Sequence, residues 1–103
     1  MQIVLTPQFT HWLGRLKDRA GKARVAMLLD RWDQQGAVTG DVKSVGGGVY
    51  EARIHSGPGY RLYFAQKKDV LVLLLIGGDK HSQERDIDAS IRLLKAMKEK
   101  NEW

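Results

Sequence analysis

Ionisable side chains alternate along one predicted β-hairpin. Glu51, Arg53 and His55 occupy every second position of its first strand, and Arg61 and Tyr63 do the same on the returning strand. Because successive side chains of a strand point to opposite faces, we expect all of these groups on one face. Arginine presents a fork of donors that fits phosphate oxygens, and an imidazole titrates near neutral pH. The pattern therefore predicts a surface that could grip or cut a phosphodiester.

The composition is typical of a folded globular chain. The 103 residues are 43% hydrophobic and 28% charged, which suits one domain over residues 1–103 and argues against disorder. The sequence contains no cysteine, which excludes disulfides, thiolate metal ligands and thiol nucleophiles and favours a reducing cytoplasm. Its scattered histidines have no spacing that suggests a metal site, so we predict no cofactor.

The chain is basic. Lys and Arg number 17 against 12 Asp and Glu, for a net charge of +5 and a pI near 9.7. This favours a polyanionic partner, nucleic acid before an acidic protein, although a charge that serves only solubility would look the same. No apolar run approaches the roughly 20 residues of a membrane span, and residues 1–7 do not resemble a signal peptide. We predict a cytoplasmic protein with no membrane partner.

The first third of the chain predicts a strand and two helices. Residues 2–5 read as a strand, and Thr6 can cap the helix that follows. Residues 18–21 should break this helix, and a second one should run over residues 22–35 and stop at Gly36. The first helix is indicated by apolar residues at i, i+3, i+4 and i+7, namely Phe9, Trp12, Leu13 and Leu16.

After residue 40 the hydrophobic period changes from that of a helix to that of a strand. Residues 42–45 predict a short edge strand, and residues 46–48 a flexible glycine link. The hairpin with the ionisable face spans residues 49–55 and 60–66. Its other face carries Tyr60, which should pack in the core.

The last part of the chain predicts a buried strand and a helix. Residues 66–69 form a turn, and residues 70–76 are an unbroken apolar run, which is typical of a strand covered on both faces. A helix follows over residues 83–100. The order is βαα, a largely antiparallel sheet and a C-terminal helix, so the predicted fold class is α+β.

Several of these segments together resemble a known family. They are Gly57-Pro58-Gly59-Tyr60-Arg61 and Gly77-Gly78-Asp79-Lys80, with residues 50–53 and 83–87. The chain resembles the phage-derived, HigB-like branch of the RelE toxin superfamily, often called addiction module killer proteins, over nearly its whole length. The resemblance implies a RelE-like fold and a type II toxin paired with an antitoxin, in this branch usually a helix-turn-helix protein.

The activity implied by the resemblance is cleavage of messenger RNA on the ribosome. Related toxins direct a ribose 2′-hydroxyl onto the adjacent phosphodiester without a metal. Such a reaction needs a base, an acid and positive charge at the phosphorane. The same fold also includes inhibitors of DNA gyrase, and an inactive RNA-binding remnant is a further alternative.

The resemblance also suggests which residues form the site. Arg61 matches a phosphate-stabilising arginine, Lys80 matches the Asp-Lys of this branch, and His81 lies where relatives carry a residue that acts on the leaving group. Arg53 could assist, and Glu51 could be the general base or could only orient an arginine. Surface ion pairing is the alternative for each arginine.

A second set of residues is expected to contact RNA. Lys43 lies where some relatives carry a catalytic lysine, although a lysine also protects an edge strand from pairing. Tyr63 could stack on a base, Arg85 could contact RNA, and His55 could contact RNA or, as an imidazole, act as an acid or base. Relatives often place a tyrosine after the last strand, but residues 77–85 contain none.

Overall fold

A computed structural model describes residues 1–68 and 71–103 of the chain. Over these residues it is a single α+β domain with one five-stranded mixed sheet and three helices, so the predicted fold class is confirmed. The elements in chain order are β1 (Gln2–Leu5), α1 (Pro7–Arg15), α2 (Arg19–Gln35), β2 (Asp41–Gly46), β3 (Val49–Arg53), β4 (Arg61–Lys67), β5 (Leu71–Gly78) and α3 (Gln83–Glu99).

The sheet has the strand order β1-β5-β4-β3-β2. β1 runs parallel to β5, and the other neighbours are antiparallel. β2 lies at an edge, as predicted. β5 is covered on both faces, also as predicted, because Val72 and Leu74 enter one core cluster while Leu73 and Leu75 enter the other. The predicted turn and strand include residues 69 and 70, which lie outside the described residues.

Helices cover the sheet on both sides. α1 and α2 bury Phe9, Val25 and Trp32 against one face, and α3 packs Leu94 against the other. Thr6 caps α1 as expected: its hydroxyl accepts from the Phe9 amide at 3.0 Å and donates to the Leu75 carbonyl at 2.7 Å. Within the described part of the chain, no helix combines the length and apolar character needed to cross a membrane.

The predicted break at residues 18–21 is wrong in detail. Asp18 is the N-cap of α2, and its carboxylate accepts from the Gly21 amide at 3.0 Å. The helix therefore begins at Arg19, because the cap satisfies an amide of the first turn. Tyr60 packs in the core as predicted, and its hydroxyl donates to the same carboxylate at 2.9 Å.

The glycines at 46–48 form a tight turn and not a flexible link. Gly47 and Gly48 have φ values of +61° and +81°, and a two-residue hairpin turn of this kind needs positive φ at both positions. A Cβ on Gly47 would also lie 2.7 Å from the Ile91 side chain. The turn is therefore fixed beneath α3.

Two glycines at the end of β5 let helices approach the sheet from opposite sides. A Cβ on Gly77 would overlap the Trp12 ring, and a Cβ on Gly78 would overlap the Asp86 carboxylate and lie 2.9 Å from Ser82 Oγ. The first turn of α3 can thus lie directly on the sheet. Ser82 Oγ also donates to Asp86 Oδ2 at 2.5 Å.

We expect Gly78→Ala to destabilise the domain by about 1–3 kcal/mol, the usual range for overpacking, because α3 must move outward. Gly14→Ala is the control: Gly14 lies in α1, and apart from the backbone of the helix itself and the neighbouring residues, no atom of the described residues lies within 4 Å of the position that its Cβ would take. That change should stabilise the domain by about 0.5–1 kcal/mol. Denaturant unfolding of both variants measures the difference. Equal stabilities would contradict the close approach of α3.

Candidate active site

The sheet register gathers the predicted ionisable groups on one face. Glu51 lies opposite Tyr63, and Arg53 opposite Arg61. On the other side of β3, Lys43 pairs with Glu51. Directly paired residues of antiparallel strands share a face. The predicted one-sided array is therefore present, at the end of the sheet where α3 begins.

A buried carboxylate lies at the centre of this face. The Glu51 side chain is 0% exposed, and its Oε1 accepts from Arg53 Nε at 2.7 Å. Its Oε2 accepts from Gln83 Nε2 at 2.9 Å and lies 3.7 Å from Arg61 Nε. The carboxylate therefore joins β3, β4 and the first turn of α3.

The environment of Glu51 favours its ionised form. Burial disfavours the charge, but the hydrogen bonds from Arg53 and Gln83 and the positive charge of Arg53 outweigh it and hold the pKa of Glu51 below its usual value. In turn, the Glu51 hydrogen bond and charge raise the pKa of Arg53. A carboxylate with a lowered pKa and occupied oxygens is a weak base. Its arrangement suits holding the arginines in place better than abstracting a proton.

Tyr63 is not available for stacking, so that prediction is wrong for this structure. Its ring is 0% exposed beneath α3, and within residues 1–68 and 71–103 its hydroxyl finds no hydrogen-bond partner of good geometry. Burial and the nearby Glu51 carboxylate raise the pKa of Tyr63. Alternation placed Tyr63 on the polar face, but the helix that covers it could not be positioned from the sequence.

An open cavity of about 170 Å³ lies next to the two arginines that flank Glu51, although Glu51 does not line it. Arg61 lines it with a guanidinium that is largely buried, and Arg61 Nη1 donates to the Gly59 carbonyl at 3.1 Å. Arg53, Lys80 and His55 also line it, so three cationic side chains and an imidazole converge there. His55 Nε2 contacts the Asp41 carboxylate.

His81 and Arg85 lie next to this cavity rather than in it. With Lys80 they line an adjoining space of about 460 Å³ at the start of α3. Both are exposed, and Arg85 Nε lies 3.9 Å from Asp86 Oδ1. Lys80 borders both spaces, so the predicted residues form two connected groups.

Lys43 remains exposed on the edge strand beside Glu51. Its position is compatible with an RNA contact and equally with protection of the edge. Among the described residues, no three His, Asp or Glu side chains cluster as metal ligands would.

Gln83 and Asp86 are the residues that sequence reasoning missed. Gln83 completes the set of groups around Glu51, and Asp86 holds Ser82 under the helix. Their spacing places both in the first turn of α3, but spacing does not show which strand that turn meets. The adjoining Gly77-Gly78 pair was the available signal, since paired glycines allow close packing.

We expect Glu51→Gln to lower the free energy of unfolding by about 1–3 kcal/mol near neutral pH, less than for a fully buried ion pair because Arg53 is partly exposed. The folded-state pKa of Glu51 lies below its ordinary value of 4.5. Its stabilisation is therefore complete above that pH and is lost as the pH falls through the lowered pKa. The difference in the free energy of unfolding between the wild-type protein and Glu51→Gln should therefore disappear at acidic pH.

Denaturant unfolding across this pH range measures that gap. Glu99→Gln, at the exposed end of α3, is the matched control and should change stability little. A gap for Glu51→Gln that stays constant with pH would contradict the paired-carboxylate assignment.

Comparison with known proteins identifies a family. The Phage derived protein Gp49-like (DUF891) family matches residues 11–99. A Haemophilus influenzae protein described as uncharacterized is 44% identical over 87 residues, which cover 84% of this chain and 86% of that protein. No solved structure matches the chain. Since the family match extends from α1 to the end of α3, the chain belongs to the Phage derived protein Gp49-like family.

Proposed function

We propose that the chain is the toxin of a type II toxin–antitoxin module, in the HigB-like branch of the RelE superfamily. Its activity would be endoribonucleolytic cleavage of messenger RNA on the ribosome. The observation that carries this proposal is the convergence of Arg53, Arg61 and Lys80 on one open cavity, with the buried Glu51 against both arginines. The proposed partners are an antitoxin of the helix-turn-helix type, the ribosome and messenger RNA.

Phosphodiester cleavage by a neighbouring 2′-hydroxyl needs little covalent help from a protein. The 2′-oxygen attacks phosphorus, the bond to the 5′-oxygen breaks, and the products are a 2′,3′-cyclic phosphate and a 5′-hydroxyl. A base accepts the proton from the 2′-hydroxyl, and an acid gives one to the 5′-oxygen. The largest lowering of the activation barrier comes from hydrogen-bond donors held in fixed positions around the phosphorane.

Arg61 is the best placed donor for the phosphorane. Its guanidinium is largely buried, and its charge is balanced by Glu51 Oε2 at 3.7 Å. Only the bond to the Gly59 carbonyl occupies its donors among the described residues, so other N–H groups remain for phosphate oxygens. Arg53 and Lys80 add charge at the same cavity. Because Glu51 holds Arg53 and approaches Arg61, little reorganisation would accompany the reaction.

The two proton transfers fit imidazoles better than Glu51. The carboxylate has no exposed surface and is engaged by Arg53 and Gln83. His55 lines the cavity with the arginines and contacts Asp41, which would orient its ring. His81 lies across Lys80 in the adjoining space. We assign proton transfer to this pair, with Glu51 as a positioning residue.

We expect Arg61→Ala and Arg61→Lys to lower cleavage of ribosome-bound message by about 10²–10³-fold, the usual cost of one transition-state donor, and to relieve growth arrest on induction. Lysine keeps the charge but loses the fork of donors. Arg92→Ala, on the exposed side of α3, is the control and should remain toxic. Thermal unfolding checks that each variant is folded.

Undiminished cleavage by a folded Arg61 variant would overturn the assignment. Inhibition of gyrase supercoiling while message stays intact would identify the protein as a gyrase inhibitor. Salt-sensitive RNA binding without any cleavage product would identify a binding remnant.

A second prediction concerns the imidazoles. His55→Ala and His81→Ala should each lower the cleavage rate about 10²–10⁴-fold, the typical share of one acid or base, with RNA binding nearly unchanged. Each should also remove one limb of the pH–rate profile. His11→Ala is the matched control, because His11 is exposed on α1 beside Arg15. A full two-limbed profile in the His55 variant would exclude that residue from proton transfer.

A further inference from the structure

A second groove crosses the domain between α2 and the β3–β4 turn. It encloses about 310 Å³, and most of its lining residues lie outside the candidate active site. One wall comes from one face of α2, and the other from the chain that follows β3. Its lining residues are Arg24, Met27, Leu28, Arg31, Gly40, Arg53, Ile54, His55 and Ser56.

The groove is strongly cationic. Arg24, Arg31 and Arg53 line it, and no acidic residue does. Arg24 and Arg31 form no ion pair within 4 Å of a carboxylate in the described part of the chain. Carboxylates near the groove are themselves engaged: Asp41 contacts His55, Glu51 accepts from Arg53, and Asp18, which interacts electrostatically with Arg24, accepts from Tyr60. Three guanidiniums without an acidic lining favour a ligand with several negative charges.

The α2 wall has a regular spacing. Arg24, Met27, Leu28 and Arg31 follow i, i+3, i+4 and i+7, so they form one stripe along the helix. At 1.5 Å per residue, the two arginines are separated by about 10 Å along the axis. That length suits more than one phosphate of a nucleic-acid strand. Between them, Met27 is 62% exposed and offers an apolar surface to a base.

The groove adjoins the candidate active site. Arg53, Ile54 and His55 line both the groove and the cavity that contains Arg61. A strand whose scissile phosphate lies at Arg61 would therefore pass Arg53 and enter the groove on α2. An acidic protein segment would match the charge as well and is one outcome of the test below; the spacing of the two arginines and the exposed Met27 between them favour a nucleic-acid strand.

We propose that this groove binds single-stranded RNA next to the scissile phosphate, with Arg24 and Arg31 on backbone phosphates and Met27 against a base. The inference rests on the proposed function, since it extends the same RNA beyond its cleavage site. It adds a binding surface on α2, for which the sequence analysis predicted only a helix.

The test compares a 2′-O-methyl trinucleotide with a 2′-O-methyl decanucleotide, neither of which can be cleaved. The full chain should bind the longer RNA more tightly in fluorescence anisotropy. Arg24→Gln combined with Arg31→Gln should weaken decanucleotide binding about tenfold and leave the trinucleotide unchanged. Loss of two phosphate contacts should also reduce the slope of log K against log salt by about 1.4.

Arg92→Gln combined with Lys95→Gln removes the same charge from the exposed face of α3 and is the matched control. The inference is overturned if this control weakens binding equally, if both RNAs lose affinity together, or if the wild-type chain does not prefer the longer RNA. It is also overturned if the groove variant keeps its RNA affinity but loses affinity for a glutamate-rich helical peptide, which would assign the groove to a protein partner.

The two proposals fail separately. Length-dependent RNA binding that needs Arg24 and Arg31, in a protein that cleaves no message, would support the groove and reject the nuclease. If cleavage requires Arg61 while the groove variant cleaves normally and binds the decanucleotide with unchanged affinity, the nuclease is supported and the groove is rejected.

Discussion

The burial of the Glu51 carboxylate is the constraint on which the site depends. A charge removed from water is tolerated only when it is paired and hydrogen-bonded. Here the compensation comes from different elements: Arg53 on β3, Arg61 on β4 and Gln83 on α3. The need to satisfy one carboxylate therefore fixes two arginines and a helix relative to each other. An exposed glutamate would leave the arginines free to sample many rotamers.

This arrangement requires α3 to lie close to the sheet. Gly78 provides the space, because a side chain there would meet Asp86 and Ser82. Gly77 serves the opposite face by admitting Trp12. The same glycine pair thus sets the thickness of the domain at the end of β5, where Lys80 enters the cavity. Packing and electrostatics are coupled here, because Gln83 reaches Glu51 only if the first turn of α3 packs directly on the sheet.

Part of the basic character of the chain lies where the proposals need it. The cavity with Arg61 and the groove on α2 share Arg53 and His55, and Lys80 connects the cavity to the space near His81. A negatively charged strand would meet cations in each of these concavities, and Glu84 is the one acidic residue among their lining residues. A net charge of +5 could have been dispersed for solubility alone. Its alignment with two connected concavities is what favours a polyanion as the partner.

The sequence alone determined the elements and the polar face of the hairpin. Hydrophobic period distinguished helices from strands, and alternation placed Glu51, Arg53, Arg61 and Tyr63 on one side, because both are local consequences of backbone geometry. Only the tertiary structure decided which of these groups meet solvent. Seating α3 buried Tyr63 and Glu51, brought in Gln83, and left the arginines at an open cavity. These outcomes depend on contacts between residues that are distant in the chain, and the spacing of residues along a short segment does not predict such contacts.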